Sequence, residues 1–401
     1  MRDAACDAPL SDCLERADIG RVILSIAIAE RERLEGRSLA RGCWAGWNED
    51  SLIDEAGIGF DSLARLVLVA RVSRFFALHE IGSEDYLVLE NRVGGWVDIV
   101  AETLRRGTSG ISVQTSGSTG EPKDCAHSWR DLLAEAGEAG FLPGSGPVLS
   151  LVPPHHLYGF LWGILAPRLA GRASEDARTR GVPDGAGLAE GTIIACPAHW
   201  AVMLEGAGRF APEITGVCSG GPSDDALWRG VRRAGLGAFV EIYGSTETAG
   251  VGRRRDGASG FALLPRLEWG ADGCIRRRSD GAALQLQDHI RREGALFHVD
   301  GRRDAGVQVG GVNVFPETIR SVLRAEPGVR DAALRLDAEL RPSRLKAFVA
   351  VADGTDRAAL EDRLRARCAA KLTPPERPVR FRFGADLPRN ALGKLTDWDC
   401  A

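Results

Sequence analysis

The sequence predicts an α/β fold with a large domain built on a parallel sheet, a small C-terminal α+β domain and an N-terminal helical segment. Short apolar runs at residues 148–152, 193–195 and 216–218 are typical of buried parallel strands. A chain of 401 residues is too long for one ordinary hydrophobic core, so we expect two or three domains. We place the domains at residues 1–107, 108–300 and 301–401.

Composition and charge narrow the class of protein. Hydrophobic residues make up 44% of the chain and charged residues 26%, which is typical of soluble globular proteins. A net charge of −4 does not favour nucleic acid or an acidic membrane as a partner. The nine cysteines contain no C-x-x-C pair, so neither a zinc site nor a disulfide framework is indicated. We therefore expect a cytoplasmic protein with no nucleic-acid or membrane partner.

The N-terminal segment is predicted to be helical. Residues 22–34 form one helix, and Asp61-Ser62-Leu63 opens a strongly apolar helix that ends near residue 76. This order resembles an acyl carrier protein, and the resemblance implies phosphopantetheine attachment at Ser62. Two alternatives stay open. Asp61 or Ser62 simply caps the helix, or the segment is a shortened first subdomain of the domain that follows.

The next feature is a loop rich in glycine and hydroxyl groups, which follows the strand-like residues 111–113. Glycine lets the backbone approach a ligand closely, and hydroxyls add neutral donors, so this composition suits phosphate oxygens. The loop differs from a Walker P-loop because Pro122 precedes its lysine. An exposed Ser/Gly linker is the alternative. The candidate nucleotide-binding residues are Thr115, Ser116, Gly117, Ser118, Thr119, Gly120 and Lys123.

Three later motifs appear in a fixed order: Pro-x-x-His at residues 153–156, Tyr-Gly-x-Thr-Glu at 243–247 and Leu-Pro-x-x-x-x-Gly-Lys at 387–394. With the loop, they resemble the adenylate-forming superfamily, which includes acyl- and aryl-CoA ligases and peptide-synthetase adenylation domains. The resemblance covers about residues 110–401. It implies a large α/β nucleotide domain and a small mobile C-terminal domain.

The resemblance also assigns roles within the large domain. His156 would border the acyl pocket, and Gly220 lies in a small-residue turn that would contact substrate or adenine. Residues 171–190 between them are polar and are predicted to form a loop.

The Tyr-Gly-x-Thr-Glu motif supplies four residue types with distinct physical uses. The flat ring of Tyr243 would stack on adenine, and Gly244 would allow close approach. The Thr246 hydroxyl would contact phosphate, and the Glu247 carboxylate would hold Mg²⁺.

The C-terminal third contributes the remaining expected site residues. Asp288 would accept hydrogen bonds from the ribose hydroxyls, although Gln287 replaces the glycine usual in the family. Arg302 would hold the ribose or phosphate region, and Asp304 would be the hinge of the small domain. Lys394 would be the catalytic lysine that bridges the attacking carboxylate and the α-phosphate.

The resemblance implies ATP-dependent activation of an acyl or aryl acid, followed by thioester formation with CoA. One alternative is an acyl–acyl carrier protein ligase that loads a phosphopantetheine thiol, in trans or on its own Ser62. Another is a non-enzymatic nucleotide-binding or carrier-docking protein. The segment before the phosphate loop is shorter than is usual in the family. In this respect the chain resembles short ligases that activate aryl acids.

Overall fold

The computed structural model describes residues 14–115, 123–138, 146–181, 188–206, 209–302, 306–337, 339–340, 343–352, 354–388 and 395–399. These residues form two compact units. The first contains the described residues up to Thr115, together with Asp124–Leu286 and Arg291–His298. The second contains Lys123, Gln287–Ile290 and the described residues from Val299 onward.

Helices alternate with strands through most of the described chain, as predicted for an α/β fold. The α-helices are α1 (Arg16–Glu35), α2 (Ser62–Phe75), α3 (Glu84–Leu89), α4 (Val93–Arg106), α5 (Trp129–Gly137), α6 (Leu157–Phe160), α7 (Ala166–Leu169), α8 (Pro197–Gly206), α9 (Asp225–Ala234), α10 (Pro316–Arg324) and α11 (Arg357–Lys371). A π-helical turn at Leu161–Leu165 joins α6 to α7. None of the helices in the described residues has the length and apolar character needed to cross a bilayer.

The strands are β1 (Gly110–Thr115), β2 (Lys123–Ser128), β3 (Val148–Ser150), β4 (Ser174–Asp176), β5 (Gly191–Ala195), β6 (Ile214–Cys218), β7 (Ala238–Ser245), β8 (Ala249–Arg254), β9 (Phe261–Leu263), β10 (Leu267–Trp269), β11 (Ile275–Arg277), β12 (Asp288–Glu293), β13 (Leu296–Arg302), β14 (Val307–Val309), β15 (Val312–Val314), β16 (Val329–Asp337), β17 (Arg344–Val351) and β18 (Arg380–Gly384). The main sheet has the order β12-β13-β9-β8-β7-β6-β5-β3-β4.

The middle of the main sheet is parallel. Strands β3, β5, β6 and β7 pair in parallel with one another in this order, which confirms the predicted buried parallel strands. Part of the prediction for residues 171–190 was wrong, because β4 lies in this range and pairs in parallel with β3. β4 is an edge strand of Ser-Glu-Asp, and its half-buried polar residues carry no apolar signal from which a strand could be recognised.

The helices of residues 14–107 form a layer on the large unit. In α2 the Asp61 carboxylate accepts a hydrogen bond from the Ala64 N–H at 2.7 Å, so Asp61 caps this helix as one alternative predicted. Ser62 is exposed at the first helical position. Its modification remains a prediction.

A single hydrophobic cluster joins these helices to the rest of the large unit. It includes Ile23 of α1, Leu68 of α2 and Trp96 of α4, together with Phe160 of α6 and Val240 of β7. The predicted division at residue 107 does not coincide with either of the compact units. This packing favours the alternative in which residues 1–107 are a first subdomain of the large domain.

The second unit contains the small α+β domain expected at the C-terminus. Strands β16 and β17 pair antiparallel, β18 pairs in parallel with β17, and α10 and α11 pack on this sheet. The core of this small sheet includes Ile319, Val349 and Leu364. The apolar side chains of the C-terminal strands and helices are therefore buried against one another within this one small sheet and its two helices.

Candidate active site

Three neighbouring parallel strands deliver the predicted substrate and adenine residues to one edge of the main sheet. Ala195 of β5 pairs with Cys218 of β6, and Cys218 pairs with Glu241 of β7. The segments that follow these strands therefore meet at their carboxyl ends, where ligands bind in open α/β sheets. Gly220 lies in one of these segments and adopts φ +82°, a left-handed conformation that favours glycine.

The Tyr243–Glu247 motif forms the end of β7 and the turn into β8. The half-buried Tyr243 ring lies 5.6 Å, between centroids, from each of the Phe261 and Phe297 rings. A Cβ atom on Gly244 would lie 2.2 Å from the Ala249 carbonyl oxygen, so the backbone approach at this point requires glycine. Thr246 is half-buried and Glu247 is exposed. The turn therefore presents its carboxylate to solvent.

His127 links the strand after the phosphate loop to this turn. Its Nε2 atom lies 2.7 Å from the Thr246 carbonyl oxygen. Because a carbonyl oxygen only accepts, Nε2 carries the proton. Burial lowers the pKa of His127 although the Thr246 hydrogen bond opposes this shift, so the ring is a neutral donor. The sequence analysis missed this contact because the two residues are far apart in the chain.

Two buried carboxylates hydrogen-bond to the backbone next to the Gly220 turn and next to the Tyr243–Glu247 turn. Glu241 accepts a hydrogen bond from the Ser223 N–H at 3.0 Å and pairs with Arg254 Nε at 2.6 Å. It thereby ties the turn after β6 to β7. The sequence analysis missed Glu241, although a glutamate inside the apolar strand 239–242 is itself a sign of a buried partner.

Glu135 of α5 plays the matching role at the start of β8. It accepts a hydrogen bond from the Gly250 N–H at 2.9 Å and pairs with Arg266 Nη2 at 2.6 Å. Complete burial raises the pKa of Glu135, while the Arg266 charge and the Gly250 N–H oppose this rise. Glu135 thus fixes the start of β8, the strand that follows the Tyr243–Glu247 turn. Its helix, α5, comes after the phosphate loop in sequence.

The predicted acyl-pocket histidine lies beside a small cavity. His156 immediately precedes α6, and the cavity of about 90 Å³ is lined by His155, His156, Gln114, Arg71 and residues of α1, α2 and β1. His156 is exposed, yet the surrounding protein replaces much of the hydration of its ring. This desolvation, aided by the charges of Arg178 and Arg71, lowers the pKa of His156 to about 4.

Ser25 of α1 orients the neighbouring histidine. Arg178 Nη2 donates to the Ser25 hydroxyl at 3.1 Å, and the hydroxyl lies 2.7 Å from His155 Nδ1. The hydroxyl oxygen accepts from arginine and keeps a proton and a second lone pair, so it can pair with either neutral tautomer of His155. Burial, followed by the neighbouring positive charges, lowers the pKa of His155 well below its usual value. Both histidines are therefore neutral near pH 7.

The phosphate loop is bracketed by strands β1 and β2, which pair with each other. Thr115 ends β1, and exposed Lys123 begins β2. The loop residues Ser116, Gly117, Ser118, Thr119 and Gly120 lie outside the described residues. Their phosphate contacts remain predictions.

The second unit holds the remaining expected site residues. Asp288 is buried at the start of β12, and Arg302 ends β13. Asp304 and Lys394 lie outside the described residues, so their roles remain predictions.

The described residues on either side of residues 389–394 are hydrogen-bonded to each other. The Thr396 N–H donates to the Pro388 carbonyl oxygen at 2.9 Å. Lys346, buried in β17, donates to the Trp398 carbonyl oxygen at 2.6 Å and pairs with Asp397 at 3.0 Å. The segment immediately after Lys394 is therefore fixed to the small sheet.

Comparison with known proteins identifies the family. The description "AMP-binding enzyme" matches residues 113–266, and "AMP-binding enzyme C-terminal domain" matches residues 318–394. The chain is 43% identical over 397 residues to a 4-coumarate–CoA ligase of Rhodobacter capsulatus, covering 95% of this chain and 100% of the relative. It is 39% identical to a 4-coumarate–CoA ligase of Cereibacter sphaeroides, covering 98% of each chain.

Solved structures show the same fold at low identity. An amide bond synthetase from Marinactinospora thermotolerans matches with a TM-score of 0.59 and 18% identity, covering 94% of this chain and 92% of that one. The o-succinylbenzoate CoA synthetase of Bacillus subtilis matches with a TM-score of 0.56 and 19% identity, covering 74% and 72%.

The match to the relatives also bears on the N-terminal helices. The alignments cover 95% and 98% of this chain, so most of residues 14–107 are matched by residues of these relatives. The resemblance to an acyl carrier protein is not supported, and neither is a non-enzymatic role. The chain belongs to the adenylate-forming AMP-binding enzymes, and it is an ATP-dependent ligase that converts a carboxylic acid, through an acyl-adenylate, into a CoA thioester.

Proposed function

We propose that the acid is an aryl acid of the hydroxycinnamate type, such as 4-coumarate, and that the thiol is CoA itself. The observation that carries this proposal is the similarity to three relatives named 4-coumarate–CoA ligase, at 37–43% identity over at least 86% of this chain. A carrier-protein thiol is the alternative acceptor.

The surroundings of His156 are compatible with an aromatic acid. The residues after His156 are strongly apolar, and Tyr158 among them donates to the Ala195 carbonyl oxygen at 3.5 Å. Burial raises the pKa of Tyr158 well above its usual value, so its phenol stays neutral. A neutral histidine and a neutral phenol beside apolar side chains suit a flat apolar ring better than a second charged group.

In the first step, an oxygen of the substrate carboxylate attacks the α-phosphorus of ATP, and pyrophosphate leaves with the electrons of the broken P–O bond. Negative charge is spread over phosphate oxygens in the transition state. We assign its stabilisation to the loop residues 116–120, Lys123, the Thr246 hydroxyl and Lys394. Tyr243 would stack on adenine, and Asp288 and Arg302 would hold the ribose.

Glu247 is our candidate ligand for Mg²⁺. Mg²⁺ at nucleotide sites takes one or two carboxylates and completes its shell with phosphates and water, so a single exposed carboxylate fits. When bound, the ion would neutralise charge on the phosphates. Within the described residues no group of three or more metal-binding side chains forms an all-protein cage.

In the second step, the CoA sulfur attacks the acyl carbon of the adenylate and AMP leaves. We propose that the small domain turns about Asp304 between the two steps, since a closed site must open to admit the thiol. The substrates are soluble and the net charge is −4, so we propose a cytoplasmic enzyme without nucleic-acid or membrane partners.

The test combines two assays on the full chain. We expect Mg²⁺-dependent exchange of pyrophosphate into ATP with 4-coumarate, weaker exchange with benzoate and little with hexanoate. We also expect thioester formation with CoA and no phosphopantetheine on Ser62 by intact mass. Exchange that favours hexanoate would contradict the aryl assignment, and transfer only to a carrier protein would contradict CoA as the acceptor.

A further inference from the structure

A cysteine and a histidine form a close pair where β5 ends and α8 begins. The Cys196 Sγ atom lies 3.2 Å from His199 Nδ1. The backbone N–H groups of Ala198 and His199, in the first turn of α8, also favour the charged form of the thiol. Both side chains are half-buried, so small molecules can reach them from solvent.

The two side chains shift each other's pKa in opposite directions. Burial alone would raise the pKa of Cys196, but the hydrogen bond from His199, its charge and the two backbone N–H groups outweigh burial and lower it. The pKa of His199 is raised, first by its hydrogen bond to Cys196, against burial and the charge of Arg178. These opposite shifts favour transfer of the thiol proton to the imidazole.

The remaining ionisable neighbours do not compete for this proton. Cys218 and Tyr158 act electrostatically on each other and lie near Cys196, and burial raises the pKa of both well above their usual values. Both are therefore neutral near pH 7.

The pair adjoins the edge of the sheet where the candidate substrate turn lies. A Cβ atom on Gly220 would lie 4.0 Å from the Cβ atom of Cys196. The carbonyl of Ala195, immediately before Cys196, accepts the hydrogen bond of Tyr158. A group added to the Cys196 sulfur would therefore press on the Gly220 turn or displace Tyr158.

We propose that Cys196 and His199 form a nucleophilic thiolate–imidazolium pair, and that Cys196 is the site at which peroxides and other small electrophiles modify and inactivate the ligase. With hydrogen peroxide, the thiolate attacks one peroxide oxygen and the O–O bond breaks. Hydroxide leaves and takes the imidazolium proton to become water. The sulfur is oxidised by two electrons to a sulfenic acid, the peroxide is reduced, and His199 is left neutral.

The first test compares cysteines within the same folded protein. An ordinary thiol is about 3% thiolate at pH 7, so full ionisation increases reactivity up to about 30-fold. We expect a short pulse of iodoacetamide at pH 7, read by peptide mass spectrometry, to label Cys196 at least about tenfold faster than Cys43 and Cys274. Those two cysteines are exposed and Cys196 is not, so accessibility alone predicts the opposite order.

Substitution of the histidine separates electrostatics from accessibility. We expect His199→Gln to slow labelling of Cys196 to the rate of an ordinary thiol, while Cys43 and Cys274 keep their rates. Faster labelling of Cys43 or Cys274 than of Cys196 in the wild type overturns the proposal. So does an unchanged Cys196 rate in His199→Gln.

The functional arm measures ligation after exposure to hydrogen peroxide. The wild-type enzyme should lose activity in step with oxidation of Cys196 and regain it with dithiothreitol, since a sulfenic acid is reducible. Cys196→Ser should resist peroxide, while Cys43→Ser and Cys274→Ser should stay sensitive. Inactivation of the wild type with Cys196 unmodified overturns the proposal, and this readout does not require the Cys196→Ser variant to be active.

Discussion

The two ends of the chain differ in how they bury their apolar side chains. Buried residues of α1, α2 and α4, such as Trp96, share one cluster with Phe160 and Val240 of the large unit. The main C-terminal cluster draws all its members from residues 309–381 of the small unit, Leu364 among them. The C-terminal core is thus self-contained, whereas the N-terminal helices depend on the sheet they cover.

Polar contacts show the same difference. Asp18 of α1, buried at 2% exposure, pairs with Arg168 of α7 at 2.8 Å, and Ser25 of α1 contacts Arg178 and His155. In the small unit, buried Lys346 pairs with Asp397 of the same unit. Helix α1 therefore belongs to the same compact unit as most of the main sheet.

The largest expected effect comes from removing residues 1–107. Exposing a large buried apolar side chain costs about 1.5–3 kcal/mol, against a total stability of about 5–15 kcal/mol. Large side chains such as Phe160 share a cluster with the removed helices. We expect a chain that begins at residue 108 to be unfolded by near-UV circular dichroism, while residues 306–401 alone give a cooperative transition. A folded and active 108–401 chain would restore the carrier interpretation.

A matched pair of core substitutions makes the same comparison in the full chain. Trp96 and Leu364 are each 0% exposed. We expect Trp96→Ala to cost about 3–5 kcal/mol and to lower the unfolding transition of the large unit. Leu364→Ala should cost about 2–5 kcal/mol and lower only the transition of the small unit. Scanning calorimetry measures both unfolding transitions. If Trp96→Ala affected only a separate transition at lower temperature, the shared core would be contradicted.

A smaller effect is expected when the carboxylate behind the Gly220 turn loses its charge. Glu241→Gln removes the ion pair with half-buried Arg254 while keeping a side chain of similar shape. We expect a stability loss of about 1–3 kcal/mol and a lower kcat/KM for the acid, because the Ser223 N–H is held less firmly. Urea unfolding and steady-state kinetics measure these. An unchanged kcat/KM would show that Glu241 does not influence the candidate active site.

The smallest expected effect is a pH dependence of the stability of the large unit. The folded-state pKa values of His155 and His156 are lowered, so below pH about 6.5 the unfolded chain binds protons that the folded state does not. These two histidines therefore leave the stability unchanged above pH about 6.5, and the stability decreases as the pH falls from there toward about 4, the folded-state pKa of His156. Residues 306–401 contain no histidine and provide the internal reference.

Urea midpoints of the two units at several pH values test this dependence. The double variant His155→Asn, His156→Asn should flatten the slope for the large unit and leave the small unit unchanged. A slope that persists in the double variant would assign the effect to other groups.

The sequence predicted the parallel strands and the small C-terminal domain because their signals are local. The strands at 193–195 and 216–218 are continuous apolar runs, and such runs need no knowledge of their partners. The N-terminal helices were harder, since α2 is apolar on more than one side. Leu63 and Leu66 are exposed while Leu68 is buried, so the pattern does not show which face packs. The His127–Thr246 contact and the Glu135–Gly250 contact span more than a hundred residues, and no local pattern encodes them.

Hydrogen exchange of the intact chain tests the shared core most directly. Amides of α1 and α4 should exchange through the same opening as those of β5 and β6, with one free energy and one dependence on low denaturant. Amides of β16 and β17 should follow a separate opening. If α1 and α4 instead open together at lower free energy while β5 and β6 stay protected, the N-terminal helices are an independent unit and the shared-core account is wrong.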